Sequence, residues 1–539
     1  MRKLIFHSLA CAGCLTAFTA SAQTIDEARQ LLYYDRLESA EKVLVKVIKE
    51  HEDEKEAYYW LTKVYQEKDS INKAKSLLHK DAGNILDAHP LNRVALGNIL
   101  LAENKKPEAI AQFEEALKAS RKKDEGVIKA IARAQVENDH GDATYALTLL
   151  NEIREKQLDA EALTLKGDSY RKLMQGSEAA KAYMQALIRD DHYAEAAYKL
   201  GKIYVTQQNP EMFLQYFNKA ITTDPKYAAA YYELYYHYYF RDVNKAKEYL
   251  DLYIANTDPS VEQQYMQTDL MFASGKYTEA INGANTILQA EKMKAKPRLF
   301  KLLAYSYDGL SDSLKAKENL RLYFEKEADS NLVAKDFDLQ AKLRHKTDED
   351  SLAAISWERA IAVDTVVEYK VAYMQQLAQL YKTNKDKSRE AHWLGKIFET
   401  KKETNNLDIY NWGLAHYAAA EFQSADSVFG LYTSKYPEQI YGYYWKARSE
   451  AQLDTTMEKG RAIADYKKVA EIGENDREKN KSLLTQAYGY LGAYEANVSK
   501  NYPAALDWFR KILELQPANA DAQKFAGILE KWIRDGGPK

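Results

Sequence analysis

Apolar and small residues recur along this chain at helical spacing. One copy of the pattern begins at Ala194 and carries, in order, Leu200, Gly201, Tyr204, Phe213, Phe217 and Ala220. Residues three, four and seven positions apart lie on the same face of an α-helix. The pattern therefore predicts two amphipathic helices joined by a turn, with a small residue where the helices touch and a large ring that fills the remaining space.

The same order of small and large residues returns along the chain. The copy 34 residues earlier consists of Gly167, Tyr170, Ala179, Tyr183 and Ala186. Three further copies lie elsewhere in the chain: Leu96, Gly97, Leu100, Ala109, Phe113 and Ala116; Ala304, Tyr307, Ala316, Leu320 and Tyr323; Trp412, Gly413, His416, Ala425, Phe429, Tyr432 and Pro437. A hairpin of this kind cannot bury its apolar face alone, so neighbouring copies are expected to stack. Residues 127–153, 337–364 and 443–469 match the pattern poorly and predict local bends.

The repeated pattern resembles the tetratricopeptide repeat (TPR), a helix–turn–helix unit of 34 residues, over nearly all of residues 24–539. The resemblance implies an all-α solenoid: a right-handed superhelix of about 13 antiparallel helix pairs with a concave groove. We place a soft boundary near residue 330, which gives TPR arrays at 23–330 and 331–539. Residues 520–534 are predicted to form a closing helix over the last apolar face.

Short polar motifs predict where helices begin. Asn209-Pro210 and Asp224-Pro225 each put a capping side chain before a proline, and proline is tolerated in the first turn of a helix. The motif Gly-Lys-Tyr-Thr-Glu-Ala at 275–280 predicts a turn between paired helices.

Tyrosine is unusually abundant, with 41 in the chain, and residues 227–240 alone contain seven. The 3.6-residue period places Tyr231, Leu234, Tyr235 and Tyr238 at packing positions and puts the remaining rings on another stripe. By the resemblance, that stripe lines the groove. Candidate partner-binding residues at such positions are Tyr198, Tyr232, Tyr236, Tyr239, Tyr305, Tyr410, Tyr417 and Tyr444. The alternative is that these rings only pack helices together.

Residues 1–22 predict a secretory signal peptide. Arg2 and Lys3 precede an apolar stretch, and Ala20-Ser21-Ala22 forms a small-x-small cleavage site before Gln23. The competing possibility is lipid attachment at Cys14. Because both cysteines of the chain lie in this leader, cleavage after Ala22 would leave no disulfide, thiol nucleophile or thiolate ligand. No later stretch is long and apolar enough to span a bilayer.

Charge and motifs argue against several classes of function. The 76 Lys and Arg residues nearly balance 79 Asp and Glu residues, so a nucleic acid partner is not expected. None of the ten histidines forms a zinc-hydrolase motif. We find no catalytic set and no cofactor or metal motif. The Lys and Asn pattern with which some TPR proteins grip a terminal carboxylate is also absent.

These observations favour a non-enzymatic protein-interaction scaffold. The leader and the resemblance to secreted TPR proteins of Gram-negative bacteria predict a periplasmic protein of the cell envelope. Its partner would be a protein or peptide, held as an extended segment or a helix by tyrosine anchors. The alternative is a glycan-binding envelope protein that stacks sugar rings on the tyrosines, and an uncharacterised hydrolase is a third reading.

Overall fold

A computed structural model describes residues 24–51, 53–79, 85–120 and 124–537. The predicted signal peptide lies outside these ranges. Contacts divide the chain into two units, Met1–Ala295 (unit 1) and Lys296–Lys539 (unit 2). The described residues are largely helical and contain no strand. The predicted all-α TPR solenoid is confirmed, whereas the soft boundary near residue 330 stays a prediction.

Unit 1 holds the first seventeen α-helices of the described chain. They are α1 (residues 24–33), α2 (Leu37–Glu50), α3 (Glu56–Glu67), α4 (Ile71–His79), α5 (Ile85–Ala88), α6 (Pro90–Ala102), α7 (Lys106–Ala119), α8 (Glu125–Glu137), α9 (Ala143–Glu152), α10 (Ala160–Lys172), α11 (Gly176–Arg189), α12 (Ala194–Thr206), α13 (Pro210–Thr223), α14 (Ala228–Tyr239), α15 (Val243–Asn256), α16 (Val261–Ala273) and α17 (Tyr277–Glu291).

Unit 2 holds the remaining helices. They are α18 (Arg298–Gly309), α19 (Ser313–Lys326), α20 (Ala334–Lys346), α21 (Asp350–Val363), α22 (Val367–Thr383), α23 (Lys387–Thr400), α24 (Asn406–Ala418), α25 (Phe422–Lys435), α26 (Ile440–Leu453), α27 (Ile463–Gly473), α28 (Lys481–Asn497), α29 (Tyr502–Leu515) and α30 (Ala520–Asp535). The last of these covers the predicted closing segment and buries Ala522, Ala526 and Leu529.

The helices pair as consecutive hairpins, from α1–α2 and α3–α4 to α28–α29, with only the short α5 and the final α30 outside the pairing. We call the first helix of each hairpin A and the second B. The three poorly matching segments also form hairpins, namely α8–α9, α20–α21 and α26–α27. Their weak sequence match therefore reflects different packing residues and not a different fold.

A glycine on helix A faces an aromatic ring on helix B in the best copies of the repeat. Gly97 lies under Phe113, Gly167 under Tyr183, Gly201 under Phe217 and Gly413 under Phe429, and a Cβ atom at any of these glycines would overlap the ring. All four rings are fully buried. The prediction that a small residue admits the second helix and a large ring fills the space is confirmed.

Turns and caps follow the sequence motifs with one exception. Asn209 caps α13 by accepting a hydrogen bond from the N–H of Met212 at 3.1 Å. Gly275 lies in the predicted turn and has a φ of 71°, which glycine adopts without strain. The prediction for Asp224-Pro225 is wrong: α14 begins three residues later, at Ala228, and Asp224 instead accepts from the N–H of Lys226 in the preceding turn.

Candidate protein-binding surfaces

Ion pairs join the A helices of unit 1, from α3 to α8 and then between successive A helices from α8 to α14. Four of them follow one another along this face: Lys63–Glu137 at 2.9 Å, Arg133–Glu161 at 2.6 Å, Lys199–Asp168 at 2.5 Å and Lys202–Glu233 at 2.6 Å. Burial opposes ionisation of Glu161, but Arg133 and Lys129 outweigh it and lower its pKa to about 2. The A-helix face of unit 1 is therefore a ladder of paired charges, which the aromatic pattern alone did not predict.

Helix α1 packs against the same face. Its contacts there are with residues much later in the chain, such as Glu195, which lies 162 positions after Tyr33. The ring of Tyr33 lies 6.1 Å from Tyr193 and 5.4 Å from Tyr227, and its hydroxyl accepts a hydrogen bond from the N–H of Glu195 at 3.3 Å. A cavity of about 550 Å³ lies here, lined by residues of α1, α2, α3, α8, α10 and α12 together with Tyr193 and Tyr227. The first helix of unit 1 thus occupies part of its own A-helix face.

A cluster of hydrogen bonds holds the α1–α2 turn in this position. Asp258, between α15 and α16, accepts from the hydroxyl of Ser39 at 2.6 Å, from the N–H of Ser39 at 2.9 Å and from Nε of Arg36 at 3.2 Å. We call these three bonds the clasp. Burial opposes ionisation of Asp258, but its bonds to Ser39 and Arg36 hold the pKa of the carboxyl below its ordinary value.

Breaking the clasp should release α1 and α2 without unfolding the rest of unit 1. We expect Asp258→Ala to cost about 1–3 kcal/mol of local stability, because it removes three bonds to a charged acceptor. The readout is faster hydrogen exchange in residues 25–50. Since the folded pKa lies below the ordinary aspartate value of about 3.9, the contribution is complete above that pH and is lost as the pH falls through the folded pKa.

Asp251→Ala is the matched control for the clasp. Asp251 is exposed and pairs only with Lys247, one helical turn away. We expect this variant to leave exchange in residues 25–50 unchanged. Equal exchange in both variants would show that the clasp does not hold the first hairpin.

The four predicted partner-binding tyrosines of unit 1 lie in two environments. Tyr198 is half-buried, with its ring 5.8 Å from Phe217 and 5.6 Å from Tyr227, and burial raises its pKa well above the ordinary value. On α14, Tyr232 contacts Tyr236 at 4.7 Å, while Tyr239 donates to the carbonyl of Asp269 at 3.0 Å. Tyr236 is the most accessible of the four, at 43% exposure.

The packing half of the 227–240 stretch is largely confirmed. Tyr231, Leu234 and Tyr235 are all buried, whereas Tyr238 is half-buried and stacks on Tyr249 at 5.6 Å. The stretch therefore contributes both core and surface, as its helical period predicts.

Tyr305 of unit 2 stands apart from the other candidates. Its hydroxyl donates to Oδ1 of Asp336 at 3.1 Å, and the same carboxylate pairs with Lys301 at 2.8 Å. Burial and Asp336 raise the pKa of Tyr305. This hydrogen bond links α18 to α20 and ties the hydroxyl to a structural acceptor.

Tyr410, Tyr417 and Tyr444 come together on the A helices of unit 2. Tyr410 and Tyr417 are half-buried, whereas Tyr444 is buried and its hydroxyl donates to Oε1 of Gln486 at 2.7 Å. Trp445 joins them: its Nε1 donates to the hydroxyl of Tyr410 at 3.1 Å, and its ring lies 5.0 Å from Tyr417 and 5.4 Å from Tyr444. The guanidinium of Arg448 lies 4.6 Å from the Trp445 ring. We call these five residues the 410–448 cluster.

Sequence reasoning missed Trp445 and Arg448. Both lie in the poorly matching segment 443–469, where no reliable frame was available. A signal was present: Arg448 follows Tyr444 by four residues, so both lie on one stripe of α26.

Other kinds of site find no support in the described residues. No group of three or more His, Cys, Asp or Glu side chains there is arranged to hold a metal ion. In the same ranges, no helix combines the length and the apolar character needed to cross a bilayer.

Residues 164–228, which run from α10 to the start of α14, match the family model of the tetratricopeptide repeat. This segment carries the tetratricopeptide repeat. The match includes the Gly167–Tyr183 and Gly201–Phe217 contacts, where the sequence pattern is also clearest. The TPR fold implies a scaffold for protein–protein interaction, and TPR proteins are generally non-enzymatic.

Several solved structures of TPR proteins align with this chain. The C-terminal part of a TPR repeat-containing protein from Cytophaga hutchinsonii is 26% identical over 48% of this chain and 98% of its own length, with a TM-score of 0.31. PilW, a widely conserved type IV pilus biogenesis factor, is 17% identical over 38% of this chain and 92% of its own, with a TM-score of 0.31. A TPR protein from Parabacteroides merdae is 17% identical over 59% and 96%, with a TM-score of 0.19. No curated protein matches the chain in sequence.

Proposed function

We propose that this TPR protein is a non-enzymatic scaffold of the bacterial cell envelope that binds a peptide or a partner helix through the 410–448 cluster. The observation that carries the proposal is the convergence of three predicted partner-binding tyrosines with Trp445 and Arg448 on one face. Aromatic and arginine side chains dominate the binding energy of protein interfaces, because they offer large contact area together with hydrogen-bonding groups.

Surface exposure beside the cluster supports this proposal. Tyr441 is 48% exposed, its ring lies 6.3 Å from Tyr410, and Leu407 is 60% exposed. An extended segment or a helix laid on this face would cover apolar surface that water now contacts. The A-helix face of unit 1 offers less apolar surface for a partner, because paired charges and α1 occupy it.

The location in the envelope rests on the leader sequence. The charged start, the apolar stretch and the small-x-small site before Gln23 support secretion into the periplasm. Mass spectrometry of the protein purified from its native host would give the mature N-terminus: Gln23 supports a soluble periplasmic protein, and lipidated Cys14 would support an anchored one.

A capture experiment tests the proposed binding face. Mature protein starting at Gln23 is immobilised and exposed to envelope extract, and we expect Tyr417→Ala to reduce capture of a specific partner about tenfold or more, as loss of an aromatic anchor. Tyr369→Ala is the control, since Tyr369 is also on unit 2, is 49% exposed and lies outside the cluster. Equal capture by both variants would contradict the assignment of this face.

The glycan alternative is tested with the same two variants. Electrophoresis through gels that contain polysaccharide would retard a glycan-binding protein. Retardation that Tyr417→Ala abolishes, without any protein partner, would favour glycan binding over the scaffold.

A further inference from the structure

Among the residues that the structure describes, Arg448 forms no ion pair. It is half-buried, its guanidinium lies 5.1 Å from the Tyr417 ring and 5.7 Å from the Tyr444 ring, and it forms no ion pair or hydrogen bond with the described residues. Lys446, two positions earlier, pairs with Glu450 at 2.8 Å and with Asp465 at 2.5 Å. Residues two positions apart do not share a helix face, so these acidic partners belong to Lys446 and not to Arg448.

A second polar group beside Arg448 also has no partner. Tyr466 of α27 is only 6% exposed, and its hydroxyl makes no hydrogen bond within the part of the chain that the structure describes. Burial raises the pKa of Tyr466, with the hydroxyl of Tyr444 adding to the effect, so the phenol stays protonated and can donate. Tyr466 packs in the same buried cluster as Tyr444 of α26, and the guanidinium of Arg448 lies 5.7 Å from the Tyr444 ring.

The Arg448 guanidinium and the Tyr466 hydroxyl are hydrogen-bond donors, and together they favour an anionic ligand. A guanidinium presents several N–H donors in a planar fork that matches a carboxylate, and aromatic faces on either side fix its orientation. Within a peptide or a partner helix, the anion that fits this fork is the carboxylate of Asp or Glu. Asp426, Glu450 and Asp465 are engaged with Lys446 instead.

The side chains around Arg448 also indicate whether the bound carboxylate belongs to an internal side chain or to the end of a chain. Tyr410 lies on the side of α24, while the half-buried Tyr490 lies on α28, with its ring 4.6 Å from the buried ring of Tyr466. Aromatic contacts therefore extend in both directions from the guanidinium. A peptide that contacts both sides must pass across Arg448, which fits an internal residue and not a chain end.

We propose that Arg448 binds the carboxylate of an internal Asp or Glu side chain in the partner segment, with Tyr466 as an additional donor and Tyr417 and Trp445 contacting the neighbouring residues. This inference rests on the proposed function, because it names the chemistry that the 410–448 cluster recognises.

Peptide selection tests the inference without knowledge of the natural partner. A library of random 12-residue peptides displayed on phage is selected against the mature protein and against Arg448→Gln. We expect the mature protein to enrich peptides with Asp or Glu at one fixed position beside aromatic or apolar residues. Arg448→Gln should select peptides without that acidic preference.

A selected peptide is then synthesised in three forms: unchanged, with its acidic residue replaced by the amide, and with an amidated C-terminus. We expect the acid-to-amide change to weaken binding by about 10- to 100-fold, as for loss of a hydrogen bond to a charged group. Amidation of the C-terminus should have no effect. Arg448→Gln should bind the unchanged peptide and the acid-to-amide peptide equally weakly. Arg448→Lys should restore part of the difference in affinity between these two peptides.

Lys468→Gln is the control for net charge, since Lys468 is half-exposed on α27 and pairs with Glu471. It should leave all affinities unchanged, and melting curves should show that every variant is folded. Peptides that bind without an acidic preference, or an acidic preference that survives in Arg448→Gln, would overturn the inference and leave the proposed function standing. Failure to select any peptide would overturn both.

Discussion

Replacing Phe217 with alanine is expected to destabilise the protein by about 3–5 kcal/mol, as a large truncation in the core. Phe217 is 1% exposed, its ring fills the space above Gly201, and it also contacts Tyr198 and Phe213. Because helical repeats contact mainly their neighbours, the loss should appear first as local opening. Hydrogen exchange should accelerate in residues 194–260 before other hairpins respond.

Phe240→Ala is the matched control for Phe217→Ala. Phe240 ends the same run of aromatic residues but is 84% exposed, so we expect its removal to change the unfolding free energy by less than about 1 kcal/mol. Uniform acceleration of exchange across the chain in Phe217→Ala would contradict the local character of the hairpins. A cost equal to that of Phe240→Ala would show that the ring is not part of the core.

Asp336→Ala is expected to cost about 2–4 kcal/mol, because it removes a buried charged acceptor that three groups share. The Asp336 side chain is fully buried and pairs with Lys301 and Tyr305 of the preceding hairpin. It also accepts from the N–H of Val333 at 3.2 Å, at the start of α20. Denaturant unfolding of unit 2 measures the loss, which is moderated because Lys301 can still reach water.

Two further variants separate the roles within this group. Tyr305→Phe removes only the hydroxyl and should cost about 1 kcal/mol, while Asp329→Ala replaces an exposed acid nearby and should change stability by less than about 0.5 kcal/mol. A structural role for Tyr305 requires its variant to be destabilised. An unchanged stability together with lost partner capture would return Tyr305 to the binding residues.

The hairpins were predictable because their decisive contacts are local. Gly201 and Phe217 lie sixteen positions apart within one hairpin, so the spacing of a small residue and a ring was enough to predict that they meet. The clasp could not be predicted in this way. Ser39 and Asp258 are 219 positions apart, and which hairpins meet depends on small rotations added up over several repeats.

The candidate site was predictable only in part, for a related reason. Tyr305 and Tyr417 occupy comparable positions on A helices, so the pattern treats them alike. Their environments differ because Asp336 lies opposite Tyr305 in the next hairpin, whereas Trp445 and Arg448 lie opposite Tyr417. Whether a tyrosine packs or binds is decided by what the neighbouring repeat presents.

The clasp also has a consequence for biosynthesis. A chain grows from its N-terminus at about 5–20 residues per second, so the 219 residues that separate Ser39 from Asp258 take roughly 10–45 seconds to add. Tyr33 has no complete docking surface until Tyr227 has been added. The first hairpin therefore cannot make all its native contacts until the segment through the α15–α16 turn is also available to fold.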